Sequence, residues 1–221
     1  MITHIIFDLG GVIFKLDKHQ AIDRFCEIGF HDAAAWLDAY EQKGIFGDVE
    51  AGRISDEQFR QQLSAMVGRE FTIAQCDYAW QGYYGHLPQH NLDALRQLRQ
   101  SGYRVSLLSN TNPFIMRWAR SNAFDGHGNA LDHHFDALYL SYEMRMMKPD
   151  PRFFEAVLKA EGATPDQTLF IDDGPRNIAA AAALGIHTLQ PDNGADWRPD
   201  LEALLAQQGG FEVHLNSTHI Q

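Results

Sequence analysis

From residue 88 onward, short β-branched and aromatic runs alternate with stretches of helical periodicity. That rhythm limits the fold more than any other feature of the chain. "HIIFDL" reads as a buried strand that ends at Asp8, where Gly10 and Gly11 stop it. Further strands are predicted over 103–110, 135–141, 167–173 and 186–190, with helices over 89–101, 113–122, 151–161 and 175–184. Strands that alternate with helices pair in parallel through right-handed crossovers. The expected architecture is therefore α/β, a Rossmann-like parallel sheet with helices on both faces.

Residues 16–87 break the rhythm. They hold helical patterns such as "DKHQAIDRFCEI", "DAAAWLDAYEQ" and "SDEQFRQQLSAMV", and no convincing strand. Ser55 followed by Gln58 has the spacing of a capping box. The chain thus divides into a core of residues 1–15 and 88–208 and a small all-α cap of residues 16–87 inserted after the first strand. The tail, 209–221, either frays or adds an edge strand.

The charge balance narrows the function. Eighteen basic against 29 acidic residues give a net charge of −11, and no Lys/Arg cluster exceeds a pair. A nucleic-acid binder would show a basic face. An anionic substrate would need local help from a metal, a lysine or backbone N–H groups. Cys26 and Cys76 lack metal-ligand spacing, and two isolated cysteines fit a reducing cytoplasm. "MITHIIFDLGG" lacks the basic start and long apolar run of a signal peptide, and no segment has about 18 consecutive apolar residues, the length a membrane span needs. The sequence leaves monomer and homodimer open.

In an open parallel sheet, ligands bind beyond the carboxyl ends of the strands. Those ends carry Asp8, Ser109–Asn110 and Asp172–Asp173, and Lys148 opens the helix through "MKPDPRFF". Each type suits phosphoryl transfer. A carboxylate can be the nucleophile. Magnesium takes hard oxygen ligands, which Asp8, Asp172, Asp173 and the Gly10 carbonyl could supply. A hydroxyl and an ammonium can bind the remaining phosphoryl oxygens. Taken singly, each residue also reads as turn or cap chemistry; four in succession along one rim are harder to explain that way.

"DLGGV", "LLSNT", "MKPDP" and "FIDDGPRNI", in this order and spacing, resemble the haloacid dehalogenase (HAD) superfamily over residues 4 to 190. The helical insert resembles an α-helical cap of the first type. The resemblance implies Asp8 as nucleophile and magnesium ligand, the Gly10 carbonyl as a further ligand, and Asp172 and Asp173 as metal-holding acids. It implies that Gly11, Ser109, Asn110 and Lys148 surround the phosphoryl group, and that Asn177 stands behind the metal acids. The substrate would be a small phosphorylated molecule.

Gly10 departs from the pattern, because most phosphatases of the superfamily have there an Asp that acts as general acid and base. Such a group is commonly worth about 10² to 10⁴ in rate. A subgroup with D-L-G-N-V in this motif, which includes bacterial sugar-1-phosphate phosphatases, looks similar. Asp17, a cap residue or water could stand in, although Asp17 also reads as a helix N-cap. Two alternatives stay open: a metal-independent dehalogenase and a non-catalytic module that keeps the fold. Trp80, Tyr83, Tyr84 and His86 near the second joint read as core packing before sugar binding. Residues 46–55 are expected to face the site as a loop.

Overall fold

The computed structural model describes residues 1–38, 42–208, 211 and 213–215. The chain enters at β1 (His4–Phe7), turns at Gly10–Gly11 and forms the short strand β2 (Lys15–Leu16). Helices α1 (Lys18–Glu27), α2 (Ala33–Trp36), α3 (Gly44–Glu50), α4 (Asp56–Val67) and α5 (Ile73–Trp80) follow. β3 (Tyr84–His86) returns antiparallel to β2. Then come α6 (Gln89–Gln100), β4 (Arg104–Ser109), α7 (Pro113–Ala119), β5 (Ala137–Leu140) and α8 (Ser141–Met144). The last elements are α9 (Pro151–Glu161), β6 (Thr168–Ile171), α10 (Pro175–Ala183), β7 (His187–Leu189) and α11 (Arg198–Gln207).

Five strands pair in parallel in the order β5-β4-β1-β6-β7, so β1 lies at the centre. Successive side chains of a strand face opposite ways, and here both faces are covered. Ile5, Phe7, Leu107 and Ile171 pack with Leu95 of α6 and Leu201 of α11. Ile6, Leu108 and Phe170 pack on the other face with Phe153 and Val157 of α9. The predicted α/β sheet is therefore present, with element ends shifted by a few residues.

The helices between β2 and β3 build an apolar cluster of their own around Phe25, Phe46, Phe59 and Trp80. Phe114 of α7 joins it, with its ring stacked on Trp80 at 6°. Arg117, on the same helix, reaches Asp56 and Asp77, each at 2.9 Å. Asp17 caps α1 by accepting from the Gln20 amide at 2.9 Å, and Ser55 and Gln58 form the expected capping box.

Several expectations need correction. Residues 16–87 do contain strand: Leu16 and Tyr84–His86 belong to the β2–β3 ribbon at the joint. Elements of two and three residues are too short to show a period. Within "DAAAWLDAYEQ" only Ala33–Trp36 is helical among the described residues. Lys148 lies in a loop and not on a helix, because Asp150 caps α9 and Pro151 is its first residue. Of the tail, Leu215 is buried and Phe211 packs on Tyr103, and neither is in a strand. The rest of 209–221 lies outside the described residues.

Candidate active site

β1 and β6 run in register, with Phe7 beside Ile171, so Asp8 and Asp172 leave the sheet at one level. The Asp8 amide extends the ladder by donating to the Ile171 carbonyl at 2.8 Å. Asp173 follows, and Gly11 makes room for it: Gly11 has φ +83°, and a Cβ there would fall 2.3 Å from Asp173 Oδ2. Oxygens of Asp8, Asp172 and Asp173 all lie within 4.8 Å of one another.

Lys148 ties this group together. Its ammonium is 2.9 Å from Asp8 Oδ1 and 2.7 Å from Asp172 Oδ2, with the side chain 1% exposed. Asn110 fixes the lysine's backbone, donating to the Lys148 carbonyl and accepting from its amide, each at 2.9 Å. Asp172 is further held by the Gly174 amide at 2.6 Å and by Asn177 Nδ2, which lies 3.1 and 3.0 Å from its two oxygens. Ser109 is buried at the end of β4, and its hydroxyl makes a long 3.4 Å contact with the Asn110 carbonyl.

Burial pushes the Asp8 carboxyl up to about 6, with Asp172 adding to the rise and Lys148 opposing it. Burial, then Asp8 and Asp172, push Asp173 up to about 7. Burial alone would lower Lys148, but Asp172 and Asp8 outweigh it and hold its pKa above the usual value. Three carboxylates around one ammonium leave surplus negative charge in a poorly solvated place, which is costly without a cation. An all-oxygen donor set of this charge fits a hard divalent ion such as magnesium.

The sites expected from sequence converge, with two refinements. Asp8, Gly10, Ser109, Asn110, Lys148 and Asp173 line one cavity. Gly11 packs behind Asp173 instead, with its amide donating to the Phe14 carbonyl at 2.8 Å. Asn110 spends its side chain on Lys148.

The far wall of the cavity comes from the joint and the cap: Leu16, Gln42, Glu50 and Tyr83. Of these, the sequence singled out Tyr83, as core packing, and covered Glu50 only as part of residues 46–55. Its hydroxyl donates to the Asp38 carbonyl at 2.9 Å while the ring stacks on Trp80. Residues 46–55 do approach the site, but Gly44–Glu50 is helix, and Glu50 is its last residue. Gly10 has an ordinary backbone, yet a Cβ there would meet Leu16 Cδ2 at 2.7 Å. Leu16 fills the space a second acid would need.

The central strand of an α/β sheet thus ends in a lysine-bridged carboxylate beside two further acids. The chain matches the haloacid dehalogenase-like hydrolases over residues 2–185, and it belongs to that family. A D-ribitol-5-phosphate phosphatase from Bacteroides thetaiotaomicron is 44% identical to it over 205 residues, covering 93% of this chain and 99% of the relative. The structure of a HAD-like family hydrolase from Porphyromonas gingivalis is 43% identical, with a TM-score of 0.88 over 93% of this chain and 98% of that one. A HAD family enzyme from Bacteroides thetaiotaomicron, solved with magnesium and inorganic phosphate, is 38% identical, with a TM-score of 0.82 over 89% of this chain and 98% of that one.

Proposed function

We propose that this hydrolase is a magnesium-dependent phosphatase that cleaves a small sugar or polyol phosphate through an aspartyl-phosphate on Asp8. The observation that carries this reading is the Lys148 ammonium held between Asp8 and Asp172 beside a third carboxylate. The relatives support the phosphatase class, and the 44% identity to a D-ribitol-5-phosphate phosphatase points to a phosphorylated polyol as substrate.

Asp8, Asp172, Asp173 and the Gly10 carbonyl would hold magnesium. When bound, the ion neutralises charge on the phosphoryl oxygens. Lys148 balances the Asp8 carboxylate before attack and a phosphoryl oxygen after it. The Ser109 hydroxyl donates to another phosphoryl oxygen. An Asp8 oxygen bonds to phosphorus as the alcohol departs, and water then breaks the acyl-phosphate and restores Asp8. Asn110 and Asn177 act indirectly, by fixing Lys148 and Asp172. Residues 16–87 serve as the cap that closes over the reacting atoms and reads the alcohol.

This chemistry leaves little for the dehalogenase alternative, which needs neither a metal nor the paired acids. No described helix is long and apolar enough to cross a membrane. We place the enzyme in the cytoplasm, acting on a small molecule and not on nucleic acid.

Phosphate release across sugar and polyol phosphates, with magnesium and with chelator, tests the reading. Turnover of at least one five- or six-carbon phosphate is expected, lost in chelator and restored by magnesium. Undiminished turnover in chelator would overturn it.

A further inference from the structure

The chain has no acid at position 10, so the proton for the departing alkoxide must come from elsewhere. Asp17 is spent on the N-terminus of α1 and does not line the cavity. Among the described residues lining it, the titratable groups are Asp8, Asp173 and Lys148 on the core side, and Glu50 and Tyr83 on the cap side. Lys148 is committed to two carboxylates. The Tyr83 hydroxyl is bonded to the Asp38 carbonyl, and burial pushes its pKa far above neutrality. Glu50 is the remaining acid on the side from which an alcohol would leave.

Glu50 is also anchored. Its carbonyl accepts from Ser141 Oγ at 2.6 Å, and the same hydroxyl accepts from the Thr111 amide at 2.9 Å. Thr111 lies two residues beyond Ser109, so the cap acid is pinned to the loop that carries the phosphoryl-binding hydroxyl. Glu50 is 7% exposed. Burial pushes its carboxyl up to about 8, against the opposing pull of the Asn112 amide, and this rise favours the protonated form near neutral pH. A positioned acid with its pKa near the working pH is what proton donation requires.

We propose, building on the phosphatase reading, that Glu50 is the proton donor to the leaving alcohol, in place of the acid missing at Gly10. As the Asp8–phosphorus bond forms and the bond from phosphorus to the ester oxygen breaks, the electron pair stays on that oxygen. The Glu50 proton joins it, the alcohol leaves neutral, and Glu50 becomes a carboxylate. The carboxylate then accepts a proton from the water that attacks phosphorus while the Asp8–phosphorus bond breaks, which restores both residues.

The test compares magnesium-loaded wild type, Glu50→Gln and Glu50→Asp on a series of alkyl and aryl phosphates ordered by leaving-group acidity. The readout is kcat/KM, which covers the steps through departure of the alcohol. Glu50→Gln should lose about 10² to 10⁴ on alkyl phosphates but no more than about tenfold on p-nitrophenyl phosphate, whose phenolate needs no proton. Glu50→Asp should fall between, with the same tilt. Inorganic phosphate should bind the magnesium-loaded variants as it binds wild type. Equal losses at both ends of the series in either variant would overturn the role of Glu50. If Glu50→Gln does not fold, the tilt of Glu50→Asp decides alone. A wild type inactive on every ester would instead defeat the phosphatase reading, and the Glu50 proposal with it.

Discussion

Gly10 and Leu16 share one volume, and that pairing explains why no second acid stands at position 10. A side chain at position 10 would push into the end of Leu16, a flexible group on a two-residue strand. Gly10→Asp should therefore cost about 1–3 kcal/mol by overpacking. Paired with Leu16→Ala, it should cost less than the two single changes summed, with a coupling of at least about 0.5 kcal/mol in a double-mutant cycle read by urea denaturation. Strict additivity would show that Leu16 is not what excludes the acid. Asp8, Asp172 and Asp173 were legible in the sequence because strand ends place them, and Lys148 because "MKPDP" falls between them in the order the family resemblance requires. Glu50 was not, because nothing local marks it. Its place depends on how the cap docks, through Ser141 and Thr111, which lie 91 and 61 positions further along the chain.

At the scale of elements, docking of the cap depends on a close approach between backbones. Gly52 has φ +64°, and a Cβ there would fall 2.2 Å from the Tyr142 carbonyl oxygen. This is backbone against backbone, so nothing flexible can yield. Gly52→Ala should displace the turn after α3 and with it Glu50. The expected result is a drop of about tenfold or more in kcat/KM on alkyl phosphates, as misplacement of a reacting group costs up to about 10². Circular dichroism should show the sheet intact; an unchanged kcat/KM would mean that this contact does not position Glu50. Long helices such as α6 and α9 showed in the sequence through their apolar spacing, and α4 through its Ser55–Gln58 capping box. The β2–β3 ribbon at the joint did not, since two or three residues carry no period and their pairing spans the whole insert.

For the whole molecule, topology does the placing. The sheet puts β1 between β4 and β6, so three strands deliver their terminal residues to one rim, and an insert after β1 lies over that rim. The alternation of strand and helix made this arrangement readable from sequence. Of the far wall, only the approach of residues 46–55 was readable; which side chains line it depends on how core and cap meet. The central claim is that Asp8 carries the phosphoryl group. The most direct test is phosphate release by wild type and Asp8→Asn, both magnesium-loaded and both shown to be folded, from whichever sugar or polyol phosphate wild type turns over fastest. Asp8→Asn should lose at least about 10³ in kcat on that ester, as expected when a nucleophile is removed. Turnover by Asp8→Asn comparable to wild type would contradict the claim.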